Sequence, residues 1–387
     1  MIQKNTIAVS LANSIDYVVN VSSDFLQEAA DRLAIHLEDL FDPPSIENEK
    51  MLIQTFLYFM VHQEGGERFI DNPHVLRIIA QHYPYTITFG GTALRAALLL
   101  ASLEIPTFLH LAFDSEDYNA LDPLIERFCN PASPPGTFHP ILQFQRGLSV
   151  VIDGECFTAP EPNRMILNNN PALEALVLDP VFFARLGECK ALLLSGLNAT
   201  HSFSTLSERL AALKTYIEPH RDELWVVYED GHFHAPDFRA AVIWELGPLV
   251  DFYSMNEDEW QTLLKKRIDL HDEIAIISSL NETQELLPHS VIIIHTKYWV
   301  MISGENAPLF KEALTTARDM ATREMLQLGP WEPLPFEFNP LPSCMHNDAV
   351  FGLPTYDIPH PTVASVGLGD AFIGGFLSQL PQKRSRT

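Results

Sequence analysis

A chain of 387 residues with 47% apolar and 19% charged side chains has the material for a large hydrophobic core. It exceeds the ~250 to 300 residues at which one core stops growing, so a large unit plus a smaller one is expected and wholesale disorder is excluded. Fifty acidic residues against 25 basic ones give a formal net charge of -25, a field that repels nucleic-acid backbones and anionic membranes and argues against both as partners.

The first strand is expected over Thr6–Ala12, because Asn13 and Asp16 break the apolar run before a signal-peptide core or membrane helix could form. Helical periodicity follows over Asp24–Leu40, Glu47–His62 and Thr92–Leu103, and a buried strand over Thr107–Ala112. Between about 113 and 172 the texture changes: Pro131, Pro134, Pro135 and Pro140 precede the alternating segment Ile141–Ile152, the mark of a small β-rich layer. Strands over Ala191–Ser195, Leu224–Tyr228, Leu249–Tyr253, Glu273–Ser278 and Val291–His295 then alternate with helices over Thr205–Ile217, Pro236–Leu246, Glu257–Lys265 and Ala307–Leu328. Such alternation predicts an α/β sandwich with a mainly parallel sheet. Cys129, Cys156, Cys189 and Cys344 lack zinc or disulfide spacing and read as free thiols of a reducing, cytoplasmic compartment.

The segment Thr362-Val363-Ala364-Ser365-Val366-Gly367-Leu368-Gly369-Asp370-Ala371-Phe372 precedes a run of apolar and small residues that reads as a helix. Two glycines allow close backbone approach to a ligand, the helix N-terminus offers unpaired N–H groups to a phosphoryl oxygen, and an aspartate there can accept a hydroxyl proton. On these residues alone a turn with a helix cap explains the pattern equally well. No GxxxxGK[ST], GxSxG or HExxH segment is present, which excludes a P-loop kinase and two hydrolase classes.

Seven segments in order resemble the ADP-dependent glucokinase/phosphofructokinase family of the ribokinase superfamily, over most of the chain. Gly367-Leu368-Gly369-Asp370 is similar to its GxGD anion hole, Asn13-Ser14-Ile15-Asp16 to its sugar-gripping N-x-[NS]-[VI]-D, and Phe89-Gly90-Gly91-Thr92-Ala93 to its GG-x-A turn. Pro162-Asn163-Arg164-Met165-Ile166 resembles its N-R-[FM]-I strand, Ser254-Met255-Asn256-Glu257-Asp258-Glu259 its N-x-x-E motif, and Val291–Thr296 a late strand ending in HT. Val227-Tyr228-Glu229 matches its H-x-E strand end only in the glutamate.

The resemblance implies a ribokinase-like three-layer α/β/α sandwich with a smaller β-rich lid. Residues 1–12, 76–112 and 173–387 would form the large nucleotide-binding domain, and 13–75 with 113–172 the lid and sugar-binding edge. It implies an ADP-dependent sugar kinase in which Asp370 is the general base, completed by Gly367, Gly369 and Arg164. Asn13, Asp16, Gly90, Gly91 and Glu67 would face the sugar, Glu67 matching an acidic residue that favours glucose. Arg164, Asn198, His295, Val366, Gly367 and Leu368 would face the nucleotide; Glu229, Asn256 and Glu259 would serve a magnesium ion. Small-molecule sugar and ADP are the implied partners. ATP as donor, a nucleoside as acceptor, and a sugar- or nucleotide-binding homologue with weak catalysis stay open, as do the sugar (glucose or fructose 6-phosphate type) and the oligomeric state.

Overall fold

The computed structural model describes residues 4–43, 45–63, 65–70, 72–233, 235–345, 349–358 and 367–383. In chain order its strands are β1 (Thr6–Ser10), β2 (Ser14–Asn20), β3 (Gly66–Phe69), β4 (Thr86–Gly90), β5 (Thr107–Leu111), β6 (Ile125–Cys129), β7 (Phe138–Phe144), β8 (Ser149–Ile152), β9 (Glu155–Thr158) and β10 (Asn163–Asn168). They continue with β11 (Cys189–Leu194), β12 (Trp225–Glu229), β13 (Phe252–Asn256), β14 (Val291–His295), β15 (Trp299–Ser303) and β16 (Val350–Pro354). Among the described residues nine strands form one sheet in the order β16-β15-β14-β13-β12-β11-β1-β5-β6. Strands β6 through β14 run parallel, and β15 and β16 turn back antiparallel at one edge.

Every residue of β5 and of β11 is buried, which requires cover on both faces of the sheet and explains their continuous apolar sequences. Helices Thr92–Ser102, Lys311–Leu326 and Leu368–Ser378 pack on one another, while Phe203–Ile217 packs against Pro236–Leu246. The result is a ribokinase-like three-layer α/β/α sandwich.

A second sheet runs β3-β10-β7-β2-β4, and its pleat separates two environments. Leu142, Phe144, Met165 and Leu167 join a distinct apolar core with Leu26, Ile53, Phe56 and Ile79. The alternate positions Ile141, Arg164 and Ile166 line a cleft shared with the large sheet, as period-2 geometry demands. Strands β8 and β9 form a separate hairpin.

Several expectations are corrected. Glu273–Ser278 is the start of a helix, Glu273–Leu286, because the Asp272 side chain caps the Ile274 N–H and the buried residues Ile276, Ser279, Leu280 and Thr283 recur at helical spacing. The span Asp24–Leu40 breaks after Arg32, where Ala34 adopts a left-handed φ of 48°. The strand read at Leu249–Tyr253 begins at Phe252 and runs on to Asn256. Residues 76–90 were assigned to the large unit, yet β4 pairs with β2 and Val75, Leu76 and Ile79 join the small core. Residues 113–136 were assigned to the small unit, yet β6 extends the large sheet beside β5. No helix among the described residues is long and apolar enough to cross a membrane, and none of the four cysteines forms a disulfide among the described residues.

Candidate active site

Parallel sheets present ligands beyond the carboxyl ends of their strands. There a cleft of about 780 Å³ opens between the two sheets, lined by Asn13, Asp16, Glu67, Gly91, Arg164, Asn198, Glu229, Asn256, Glu259, His295, Gly367, Leu368, Gly369 and Asp370. Of the residues singled out in the sequence, Gly90 lies just behind this lining, while Val366 and the preceding Thr362–Ser365 lie outside the described residues.

At one end of the cleft, the chain leaves β1 through Leu11, with a φ of 88°, and delivers Asn13 and Asp16 to its floor. Asn13 is fully buried. Its Oδ1 accepts the Ala112 N–H at 2.7 Å, and its Nδ2 donates to Tyr118 Oη at 2.9 Å and to the Phe113 carbonyl at 3.3 Å. Both of its amide protons are therefore spent on the scaffold. Asp16 accepts a 2.7 Å hydrogen bond from Ser14 Oγ. Burial pushes its carboxyl above the usual range against the opposing pull of Ser14 and Arg95.

The Gly-Gly turn exists because nothing larger fits. A Cβ on Gly90 would stand 2.0 Å from Asp16 Oδ2, and one on Gly91, at φ 81°, would stand 2.7 Å from Asn13 Cα. Across the cleft, β3 offers Glu67, whose Oε1 accepts from Asn168 Nδ2 at 2.6 Å. His139 faces Asp16 in register on β7. Arg164 projects from β10, with its Nη1 donating to Asn163 Oδ1 at 3.3 Å, and burial lowers its affinity for its proton.

On the large-sheet side, Gly367 takes a φ of 84° and caps the helix Leu368–Ser378, which places Asp370 in the first turn. Gly367, Leu368, Gly369 and Asp370 line the cleft, and a helix N-terminus leaves backbone N–H groups unpaired where the dipole favours negative charge. Burial is the largest influence on Asp370 and raises its pKa. Arg95 and a hydrogen bond from Thr92 oppose it, while Glu229 and Asp16 reinforce it.

Glu229 ends β12 and meets His295 Nε2 at 3.2 Å, and His295 in turn stacks on Phe372. Burial alone would lower the His295 pKa, but the Glu229 hydrogen bond and the charges of Glu229, Glu259 and Glu257 raise it overall. Asn256 and Glu259 close a reciprocal capping box: Asn256 Oδ1 accepts the Asp258 and Glu259 N–H groups at 2.9 Å, and Glu259 Oε2 accepts the Asn256 N–H at 2.8 Å. Burial, then Asp230 and Glu229, pushes Glu259 up to about 8.

Whether a cation fits here is decided by the donors. Glu229 Oε2 is buried without a hydrogen-bond partner among the described residues, and a buried carboxylate of that kind would suit a hard divalent ion. No three His, Cys, Asp or Glu side chains among the described residues converge as direct ligands. Asn198 also lines the cleft, its Nδ2 donating to the His232 carbonyl at 3.4 Å.

Sequence reading missed Arg95 and Thr92, on the helix opened by the Gly-Gly turn, together with His139, Lys297 and Arg318 on the cleft wall. Gly90-Gly91 was the available signal for the first two, since Thr92 and Arg95 stand in the first turn after it on the face turned to the cleft, while Ala93, Leu94, Ala96 and Ala97 face the core.

A glycine turn with a helix-borne aspartate, at the mouth of a three-layer sandwich roofed by a second sheet, defines a ribokinase-like α/β protein. Residues 5–325 match the conserved region described as ADP-specific Phosphofructokinase/Glucokinase, and the chain belongs to that family of phosphotransferases. The match stops short of Gly367–Asp370, so that turn is carried by the structure.

A hypothetical ADP-dependent phosphofructokinase from Pyrococcus horikoshii OT3 superposes with a TM-score of 0.74 at 17% identity, covering 98% of each chain. An ADP-dependent kinase in complex with fructose-6-phosphate and ADPβS gives 0.74 at 14% identity, covering 97% of this chain and 95% of that one. A last common ancestor of ADP-dependent phosphofructokinases from Methanosarcinales gives 0.68 at 15%, covering 99% and 96%. These likenesses show the fold. No curated protein matches the chain in sequence.

Proposed function

We propose that the protein transfers the terminal phosphoryl group of ADP to a sugar hydroxyl, releasing AMP and a sugar phosphate. One observation carries the reading: Asp16, Asp370, the Gly367 turn and the Glu229–Glu259 edge all face one cleft, so a sugar and a diphosphate can bridge them.

Asp370 accepts the hydroxyl proton as the sugar oxygen attacks phosphorus and the bond to the AMP oxygen breaks. The amides of the Gly367–Asp370 turn stabilise the oxygens of the phosphoryl in flight, and Arg164 approaches them from the opposite sheet. Magnesium, bound at the Glu229, Asn256 and Glu259 edge, would supply neutralisation of the diphosphate charge. Asn198, His295 and Leu368 border the nucleotide, with Val366 preceding the turn.

On the acceptor side, Asp16 and Glu67 present carboxylates and Asn168 an amide. Carboxylates accept hydrogen bonds from hydroxyls and repel a phosphate, so an unphosphorylated glucose-type sugar is favoured over fructose 6-phosphate. Asn13 acts here by fixing the floor of the site. The small sheet serves as the lid that excludes water from the phosphoryl group. Solution scattering should therefore show compaction on adding sugar and nucleotide together.

The deciding test is a coupled assay of ADP and ATP, with magnesium, against glucose, fructose 6-phosphate and other sugars and nucleosides. Turnover with ADP supports the reading. Turnover with ATP alone, or no product from any pair, overturns it.

A further inference from the structure

Arg95 stands on the helix Thr92–Ser102, one turn after Gly91, whose carbonyl accepts the Arg95 N–H at 3.0 Å. Its guanidinium is surrounded by three carboxylates from three elements. Nη2 lies 3.8 Å from Asp16 Oδ2 on β2, Nε lies 3.7 Å from Asp370 Oδ2 on the helix Leu368–Ser378, and Nη1 lies 3.6 Å from Glu324 Oε1 on the helix Lys311–Leu326. Arg95, Asp16 and Asp370 are 17%, 6% and 21% exposed, which places those two contacts where solvent screening is weak, while Glu324 is 48% exposed.

It also sits directly beneath the anion turn, since a Cβ on Gly367 would stand 2.3 Å from Arg95 Nη1. No residue other than glycine leaves that space. One planar cation thus touches the sugar-side carboxylate, the base and the turn that faces the phosphoryl group.

The geometry points to Arg95 as a positioning residue that locks Asp16 and Asp370 into a single unit, so that docking a sugar and aiming the base are one event. The inference rests on the phosphotransfer reading above. Asp16 belongs to the small sheet and Asp370 to the large layer, and without a cation between them the two carboxylates would repel across the site. A guanidinium fork can address both at once, whereas an ammonium is a point charge that can serve one well. Burial pushes both carboxyls toward their protonated forms, and Arg95 opposes this at each.

The test compares wild type, Arg95→Lys, Arg95→Met and Arg95→Ala. Wild-type turnover is measured first, because its absence with every donor and acceptor would dispose of the phosphotransfer reading and not of the role of Arg95. Given an active wild type, Arg95→Met should lose roughly 10²-fold in kcat, the usual effect of removing one preorganised polar contact. Its sugar KM should rise while its nucleotide KM stays within about threefold, by the logic that only lost contacts change binding.

Arg95→Lys should recover part of kcat but little of the sugar KM. Millimolar guanidinium chloride, and not sodium chloride at equal ionic strength, should raise Arg95→Ala turnover at least about tenfold, since only guanidinium replaces the missing fork. An Arg95→Met enzyme with wild-type kcat and sugar KM would overturn the proposal. So would a folded Arg95→Ala enzyme that guanidinium fails to rescue, because an ion pair serving stability alone predicts that result.

Discussion

Replacing Asp370 by Asn removes the proposed proton acceptor while keeping the shape of the side chain. The carboxamide can still meet Thr92, the turn at Gly367 keeps its left-handed φ of 84°, and the anion site is made of backbone that the substitution does not alter. What is lost is general-base catalysis, a factor of about 10² to 10⁴ in kcat, or roughly 3 to 5 kcal/mol of barrier. Stability should move the other way. The folded pKa of Asp370 lies above its usual value because burial, Glu229 and Asp16 outweigh Arg95 and Thr92. The native state therefore holds that proton more tightly than the unfolded chain, and native stability falls as pH rises through that window. Asn carries no such penalty, so at neutral pH the variant should unfold at the same temperature as wild type or higher. Coupled detection of AMP formation across pH, together with thermal unfolding, measures both halves. Wild-type kcat/KM should fall as pH drops through the raised Asp370 pKa, and the residual rate of the variant should lack that limb. A variant within tenfold of wild-type kcat, or one that keeps the acid limb, refutes the assignment of the base.

Three further outcomes are expected. Gly91→Ala should destabilise the protein by roughly 2 to 5 kcal/mol, combining a left-handed φ at about 1 to 2 with overpacking against Asn13 at about 1 to 3; a urea midpoint equal to wild type would contradict the crowding at this turn. His110 is buried, its Nε2 accepts the Asp179 N–H at 3.0 Å, and burial lowers its pKa to about 4. The unfolded chain thus binds the extra proton from about pH 6.5 downward, and stability should drop by about 3 kcal/mol between pH 7 and 4, at 1.36 kcal/mol per unit; His110→Gln should show a shallower acid slope in urea unfolding, and parallel slopes would dismiss the effect. Glu229→Gln should raise the magnesium concentration for half-maximal activity roughly 10 to 100-fold, the range for disturbed metal surroundings, and an unchanged requirement would remove Glu229 from the metal edge.

Where one local cause dominated, the sequence could be read directly. The apolar runs of β11 and β14 announce strands because a parallel sheet covered on both faces leaves no room for alternation, and Val291–His295 is the strand observed. Gly91 and Gly367 were legible for a similar reason, since their left-handed φ values of 81° and 84° and the close approach of Asn13 and Arg95 admit almost no other residue. Glu273–Ser278 failed because a short Ile-rich run suits either period, and only the Asp272 cap decides it. The small sheet was legible in β7 and β10 but not in β4, whose first three residues, Thr86, Ile87 and Thr88, are all exposed and leave no buried face to read.

The deeper gap lies in residues whose meaning is made by the fold. Asn13 reads as a ligand in its motif, yet its amide is consumed in tying the end of β1 to the segment after β5. Arg95 belongs to none of the sequence motifs, yet it becomes the common partner of Asp16 and Asp370 once β2 and the last helix converge on the Gly-Gly turn. Asn256 and Glu259 pose a choice between a capping box and a metal edge that the structure dissolves. The cap spends Asn256 Oδ1 and one Glu259 oxygen on backbone, and in doing so buries the Glu259 carboxyl against Glu229. The interaction that ends the loop and starts the helix therefore sets Glu259 where burial, Asp230 and Glu229 raise its pKa, a repulsion that a cation at this edge would relieve. In a chain of net charge -25, binding a diphosphate depends on such local arrangements. Arg95, Arg164, Lys297 and Arg318 all line this one cleft, so the potential there is set by folding and not by composition.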